Sequence, residues 1–379
     1  MPNWYVQQTM NERYYYIDRL KFFLICLFIC HQSLIAYGGV GIWYYTSSDR
    51  FLGVALITVN TIKTINLSFL ASLFFLISAM FAYESYKRYG FKDFVKRRVK
   101  RLGIPLVLYV LIFHPTIEYL VASTHGATDK GWFPFVLEQL TTDFSFGPFW
   151  FVAALLVFEL GFAVFKKCGP NIDGLMSELW QQIAALRTTL FVLGVGLLAF
   201  VIRLLSPARA TLPGIQWGCY PLYVGMFISG LIAQRNDWIH KLKIGFSLPW
   251  LLFAFLCLPT MLFSVHFIKD WSIFTGGLNS QSLFFALWEP MLCVGMNFFL
   301  MTFFFRYFNQ PSPRAILLTN LSFLVFFFCP AVIVPLTMFF EPLAMPLFFK
   351  WLLTAVLSIA LSYLIAWLLY KIPFVRNIF

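Results

Sequence analysis

Residues 315–339 read AILLTNLSFLVFFFCPAVIVPLTMF, a run of 25 residues without a charged side chain. About 20 consecutive apolar residues are enough for an α-helix to cross the roughly 30 Å hydrocarbon core of a bilayer. This run is therefore predicted to span a membrane. Nine other apolar stretches are long enough to do the same, and the ten predicted spans are 20–40, 62–83, 102–122, 148–166, 189–205, 217–234, 246–267, 282–305, 315–339 and 347–370.

The composition also indicates a polytopic membrane protein. Hydrophobic residues make up 60% of the 379 residues and charged residues only 12%, whereas a soluble domain is about 25% charged. The chain is too apolar to be disordered. Because lipid-embedded backbone satisfies its hydrogen bonds within helices or closed barrels, we predict an all-α fold that forms a single integral-membrane domain over 1–379.

The distribution of basic residues predicts the topology. With a cytoplasmic N-terminus, 21 of the 28 Lys and Arg residues fall on the cytoplasmic side and six on the outer side. Cytoplasmic loops of membrane proteins carry this excess, which explains the net charge of +12 without nucleic-acid binding. We therefore predict about ten spans with both termini cytoplasmic and the lipid bilayer as partner. The compact chain without a targeting segment favours a bacterial inner membrane.

Two parts of this topology allow alternatives. The region 51–83 reads either as one long helix or as a short segment followed by the second span, and 189–205 is the shortest predicted span. Lys63 and Lys350 are assigned to the outer side.

Ionisable groups inside the predicted spans are the candidate functional residues, because such groups are costly in hydrocarbon. His31 lies near the middle of the first span, Arg203 at the outer end of the fifth and Glu289 in the outer part of the eighth. Each has a structural alternative. His31 can hydrogen-bond between helices, and Arg203 can extend its head group to the interface. Glu289 has no basic partner in its local sequence.

Three further polar positions favour a structural interpretation. His114 precedes a proline and can satisfy carbonyls that the proline leaves free. Glu159 is expected to face Lys166 or Lys167, one to two turns further on. Cys329 is expected to be a small buried hydrophobic residue.

No motif for nucleotide or metal chemistry is present. The sequence has no glycine-rich phosphate loop, no His-Glu-x-x-His and no Gly-x-Ser-x-Gly, the patterns of phosphate binding, zinc proteolysis and serine hydrolysis. Its seven cysteines include no Cys-x-x-Cys pair, which argues against a zinc site or a disulfide framework. We expect no bound metal.

Several short segments, taken in order, resemble the membrane-bound acyltransferase family 3. They are YIDRLKFFLI at 16–25, HQSLIAYG at 31–38, FFLIS at 74–78, Arg98 with RLGIP at 101–105, GPFWFV at 147–152, WE at 288–289 and CVGM at 293–296. The resemblance covers nearly the whole chain. It implies a multi-pass protein that moves an acyl group from cytoplasmic acyl-CoA, the donor substrate, to a hydroxyl of a carbohydrate or other cell-surface acceptor.

The resemblance and the chemistry of acyl-CoA together suggest roles for the candidates. An imidazole in hydrocarbon stays neutral, the form that accepts a proton from a hydroxyl. Two arginines three positions apart on a helical face can clamp phosphates, with ordinary cytoplasmic charge as the alternative. The expected catalytic residues are His31 and Glu289, the expected acyl-CoA contacts are Lys21, Arg98 and Arg101, and the expected acceptor contacts are Arg203, Trp150 and Gln32.

The chain departs from the family pattern at two positions. Relatives usually carry a basic residue and a histidine eleven positions apart, on one face of the first helix. Here the position eleven after Lys21 is Gln32, and His31 stands one residue earlier, about 100° around the helix. A histidine that precedes a proline in relatives is Cys329 here. Either His31 acts from a shifted face, or the protein is a weakened relative.

Three functions follow from these observations. The first is an acyl-CoA-dependent O-acyltransferase of the acetyl or succinyl class. The second is a catalytically weakened relative that acts in polysaccharide export or assembly, which the missing histidines suggest. The third is a secondary transporter, which is less favoured because the sequence shows no paired halves with broken helices.

Overall fold

A computed structural model describes residues 14–39, 41, 43–142, 144–169, 185–207, 217–241, 243–268 and 272–379. All regular elements among these residues are helical. Within the described part of the chain, seven helical stretches are long and apolar enough to cross a membrane. The protein is therefore an all-α polytopic membrane protein, as the sequence predicts.

The helices follow the chain in this order. They are α1 (Tyr15–Ala36), α2 (Gly53–Arg98), α3 (99–124), α4 (Trp132–Thr142), α5 (Trp150–Cys168), α6 (Ala185–Leu205), α7 (Tyr220–Arg235), α8 (Trp238–Lys241), α9 (Ile244–Ile268), α10 (Ser272–Thr275), α11 (Ser280–Phe308), α12 (Pro313–Phe340), α13 (Leu347–Tyr370) and α14 (Pro373–Ile378). Within α3, π-helical turns at Val99–Gly103 and Tyr109–Phe113 alternate with α-helix at Ile104–Leu108 and His114–Thr124.

A helix lies at each of the ten predicted spans, but the count of ten stays a prediction. The second and third spans fall in one helical stretch of 72 residues, Gly53–Thr124. The sixth falls in α7, which has only 16 residues. The region 51–83 belongs to one long helix, because α2 breaks only at Gly90, where φ is 71°.

Helix α1 lies inside the bundle and contacts α2, α11, α12 and α13. Its apolar side chains join two separate hydrophobic clusters, Leu20 and Leu24 in one and Ile25 and Ile29 in the other. Packing on several sides therefore fixes the helix that carries His31.

The bounds of α1 change the predicted depth of His31. The helix ends at Ala36 rather than near 40, because Gly38 adopts a φ of 94° that continues no right-handed helix. His31 thus lies in the last two turns of α1, nearer the predicted outer end than the middle.

Two lysines assigned to the outer side are buried. Lys350 pairs with Asp49, and its Nζ lies 2.6 Å from the Glu341 carbonyl oxygen. Lys63 lies within α2, which begins earlier than predicted, and a Cβ on Gly41 would lie 3.1 Å from its Nζ. Both ammonium groups therefore belong to the interior of the protein rather than to an exposed loop.

Gly230→Ala is expected to lower the thermal midpoint of unfolding. An added Cβ would lie 2.2 Å from the Leu76 carbonyl oxygen, so α7 and α2 would have to separate, and overpacking of this kind costs about 1–3 kcal/mol. Gly161→Ala in α5 is the matched control, because a Cβ there meets no atom within 4 Å. Thermal unfolding in detergent measures both variants. Equal midpoints would contradict the close helix contact.

Candidate active site

A large cavity runs along the helix bundle and contains many charged and polar side chains. Its volume is about 2100 Å³, well above the roughly 300–1,000 Å³ of ordinary ligand pockets. Residues of α1, α2, α3, α5, α7, α12, α13 and α14 line it, together with Gly41, Trp43 and Tyr44 from the segment after α1 and four residues just before α5. We name the end where α2 passes into α3 the mouth, and the end beneath segment 37–52 the roof.

Basic side chains surround the mouth. They are Lys21, Lys87, Arg88, Lys96, Arg97, Arg98, Lys100 and Arg101. Arg98 ends α2 and Arg101 lies in the π-helical turn that follows. Because a π-helical turn is wider than an α-helical turn, the two arginines are offset from the single helical face that their spacing predicts. Both side chains nevertheless line the cavity. The structure thus brings together the three residues expected to contact acyl-CoA.

Asp18, Glu84 and Asp93 also line the cavity near its basic side chains, but the acidic residue that pairs with Arg98 is Glu159. It is buried on α5, and its Oε2 lies 3.2 Å from Arg98 Nε. The expected partner on its own helix, Lys166 or Lys167, is therefore replaced by an arginine that the packing of α2 against α5 brings close. This ion pair holds the Arg98 guanidinium at the edge of the cavity.

His31 lines the cavity between the mouth and the roof and is 4% exposed. Its Nδ1 is buried and has no hydrogen-bond partner among the residues that the structure describes. Lys63 lies close enough to act on the imidazole electrostatically. Gln32 and Lys63 line the same cavity. In the described part of the chain, no hydrogen bond between helices reaches Nδ1. This atom therefore gives no support to the alternative in which His31 only links helices.

The roof contains a row of polar side chains, Tyr109, Tyr44, His114 and Glu118, which we name the roof row. The Tyr44 hydroxyl lies 2.8 Å from the Tyr109 hydroxyl and 2.7 Å from His114 Nδ1. His114 Nε2 lies 3.4 Å from Glu118 Oε1. A neutral imidazole with its proton on Nε2 accepts a hydrogen bond from the Tyr44 hydroxyl at Nδ1 and faces Glu118 with its N–H. Burial raises the pKa of the Tyr44 phenol well above its usual value, so Tyr44 remains a donor.

The GPFWFV segment supports the roof row from below. A Cβ on Gly147 would lie 2.8 Å from both His114 Nδ1 and the Tyr44 hydroxyl, so only glycine fits there. The Phe149 ring stacks on Tyr109 with a centroid distance of 3.9 Å. Trp150, the expected acceptor contact, lines the cavity and stacks on Tyr223.

Arg203 and Glu289 lie apart from this cavity. They form an ion pair with each other, and Arg203 Nε also donates to the Gly218 carbonyl oxygen at 3.0 Å. Neither residue lines the cavity. Glu289 therefore has a basic partner after all, supplied by α6 rather than by its local sequence. The pair supports a structural role, in which it joins α6 to α11, in place of the catalytic role expected of Glu289 and the acceptor contact expected of Arg203.

Cys329 also lies away from the cavity. It is fully buried, and its Sγ donates to the Phe326 carbonyl oxygen at 3.4 Å. The geometry supports the structural interpretation of this residue. Among the residues that the structure describes, no three His, Cys, Asp or Glu side chains are grouped to hold a metal ion.

The sequence alone does not single out several residues of the cavity, among them Trp43, Tyr44 and Lys63. Trp43 and Tyr44 belong to a segment between spans, where aromatic residues carry no distinguishing signal. Lys63 falls at the outer edge of the predicted span 62–83 and is assigned to the outer side. Its position ten residues inside a helix that begins at Gly53 would have marked it as an intramembrane charge.

The fold and the cavity together place the chain among integral membrane proteins whose helices surround a large cavity with a basic mouth. Residues 14–371 match the family model described as an acyltransferase domain. The chain belongs to acyltransferase family 3, as the resemblance indicated, and it is a membrane acyltransferase. No curated protein and no solved structure matches it.

Arg98→Ala is expected to destabilise the protein by about 3–5 kcal/mol, because it leaves the buried Glu159 carboxylate without its partner. The double variant Arg98→Ala/Glu159→Gln should recover most of this loss. Lys130→Ala is the control, because its pair with Glu138 is exposed and such pairs contribute little. Chemical unfolding measures all three. A double variant as unstable as Arg98→Ala alone would contradict the assignment.

Proposed function

We propose that the protein is an O-acyltransferase that moves an acetyl- or succinyl-class group from cytoplasmic acyl-CoA to a hydroxyl of a carbohydrate or other cell-surface acceptor. The observation that carries the proposal is the single cavity that joins a basic mouth, the buried imidazole of His31 and a polar roof. A donor and an acceptor can approach the same histidine from opposite ends of this cavity.

The mouth suits the donor. Acyl-CoA is a polyanion, and Arg98 and Arg101 can each offer forked N–H groups to its phosphates. Glu159 neutralises only part of the basic mouth and holds Arg98 in place. The cavity of about 2100 Å³ has room for a bulky donor together with an acceptor. The excess of positive charge at the mouth agrees with a cytoplasmic location, where acyl-CoA is available.

The chemistry assigned to His31 is general base catalysis. The imidazole accepts the proton of the acceptor hydroxyl while the hydroxyl oxygen attacks the thioester carbonyl carbon. The carbon–sulfur bond then breaks, and the imidazolium returns the proton to the departing sulfur of CoA. The nearby Lys63 ammonium attracts the negative charge that develops on the carbonyl oxygen. Gln32, next to His31, can donate a hydrogen bond but cannot act as the base.

The location and the partners follow from this proposal. The protein lies in the inner membrane of a bacterium, with the mouth toward the cytoplasm and the roof toward the outer side. Its partners are the bilayer, acyl-CoA and a glycan or similar hydroxylated acceptor.

His31→Ala is expected to lower kcat for acyl transfer at least about 100-fold, because general base catalysis contributes about that much or more. The dissociation constant for acyl-CoA should stay within about twofold of wild type, since the phosphates bind at the mouth. The measurement uses purified protein, radiolabelled acetyl-CoA or succinyl-CoA, and a panel of glycans. His240→Gln is the control, because that histidine is exposed and pairs with Asp237 outside the cavity.

Other outcomes of the same assay separate the alternatives. Equal transfer by wild type and His31→Ala would contradict the assigned mechanism. An inactive wild type that gains transfer on Gln32→His would indicate a weakened relative. Uptake of a solute into proteoliposomes without any acyl donor would indicate a transporter.

A further inference from the structure

The roof row has no task in the mechanism assigned to His31. Tyr44, His114 and Glu118 line the cavity, and the row is hydrogen-bonded and held from below by Gly147. Its side chains come from a segment between spans and from α3, which are far apart in the sequence. These side chains converge at the end of the cavity opposite the basic mouth, as the side chains of a binding site must.

An unpaired donor beside the row indicates a missing ligand. The Trp43 indole Nε1 is buried and has no hydrogen-bond partner within the described part of the chain. Its ring packs edge-on against Tyr44, with a centroid distance of 5.3 Å, and Trp43 lines the cavity. A buried donor without an acceptor is costly, by about 1–3 kcal/mol. An oxygen atom of a bound molecule would remove that cost.

The charge of the roof selects the kind of molecule. Glu118 is 28% exposed at its side chain, so its carboxylate can accept hydrogen bonds from ligand hydroxyls. The Lys63 ammonium beside Gly41 balances this carboxylate, so the roof lacks the excess of positive charge that suits the mouth to phosphates. Aromatic rings, an indole donor and a carboxylate together match a molecule that carries many hydroxyls and no negative charge.

Holding segment 37–52 in place is the competing role for the row. That task is already served by other residues. Tyr45 donates to Glu341, the Ser48 backbone N–H donates to the same carboxylate at 2.8 Å, and Asp49 pairs with Lys350. Tyr44 is therefore not needed as the anchor of the segment.

We propose that Trp43, Tyr44, His114 and Glu118 form the acceptor subsite, which binds an uncharged, polyhydroxylated substrate through its hydroxyl groups. This inference rests on the proposed function and moves the acceptor contact away from Arg203. The subsite holds the acceptor at the roof while the donor enters at the mouth, so the reacting hydroxyl faces His31.

The test compares Glu118→Gln, Tyr44→Phe and the control His240→Gln with wild type. Neutral hexose oligosaccharides and matched oligosaccharides that contain uronic acids serve as probes. We expect Glu118→Gln to raise KM for the neutral acceptor at least tenfold and to weaken the preference for neutral over acidic probes. The dissociation constant for acyl-CoA should change by less than twofold in every variant. A variant that failed to fold would lose acyl-CoA binding as well.

Three results would overturn the inference. They are an unchanged acceptor KM in Glu118→Gln and Tyr44→Phe, an equal loss of acyl-CoA binding, and a wild-type protein that prefers acidic probes. A different result would show that the proposed function itself is wrong. In that case wild-type protein does not bind acyl-CoA. Equilibrium dialysis of the neutral oligosaccharides without any donor then still decides whether Glu118 and Tyr44 bind them.

Discussion

A charged side chain inside a bilayer must be paired or must face a polar cavity, and this constraint organises the whole bundle. Arg203 and Glu289 satisfy it by pairing with each other between α6 and α11. Glu159 satisfies it by pairing with Arg98 at the edge of the cavity. Such pairs tie together helices that the chain separates widely.

The chamber is electrostatically asymmetric along its length. The mouth collects an excess of basic side chains, whereas the roof presents Glu118 with tyrosine, tryptophan and imidazole groups. Between them lies His31, on a helix fixed by contacts with four neighbours. Under the proposed function, this asymmetry lets a polyanionic donor and an uncharged acceptor bind at opposite ends without competing for the same residues.

The sequence alone predicts the fold, the basic residues named at the mouth and the candidate His31. Apolar runs locate the helices because hydrocarbon thickness sets their length, and the rarity of charge in those runs marks His31 and Arg203. The sequence does not predict partners, because Glu159 and Arg98 or Glu289 and Arg203 meet only after packing. The sequence does not mark the roof as a binding site for a related reason. Trp43 becomes informative only once its indole nitrogen is seen to be buried without an acceptor among the described residues.

The central claim is that donor and acceptor meet at His31 inside the cavity. A structure of the protein with a non-hydrolysable acyl-CoA analogue, determined by electron cryomicroscopy in a lipid nanodisc, tests it most directly. We expect CoA phosphates beside Arg98 and Arg101 and the acyl carbonyl group within hydrogen-bond reach of His31. Density for the analogue outside the cavity, or with its acyl group remote from the imidazole, would contradict the account.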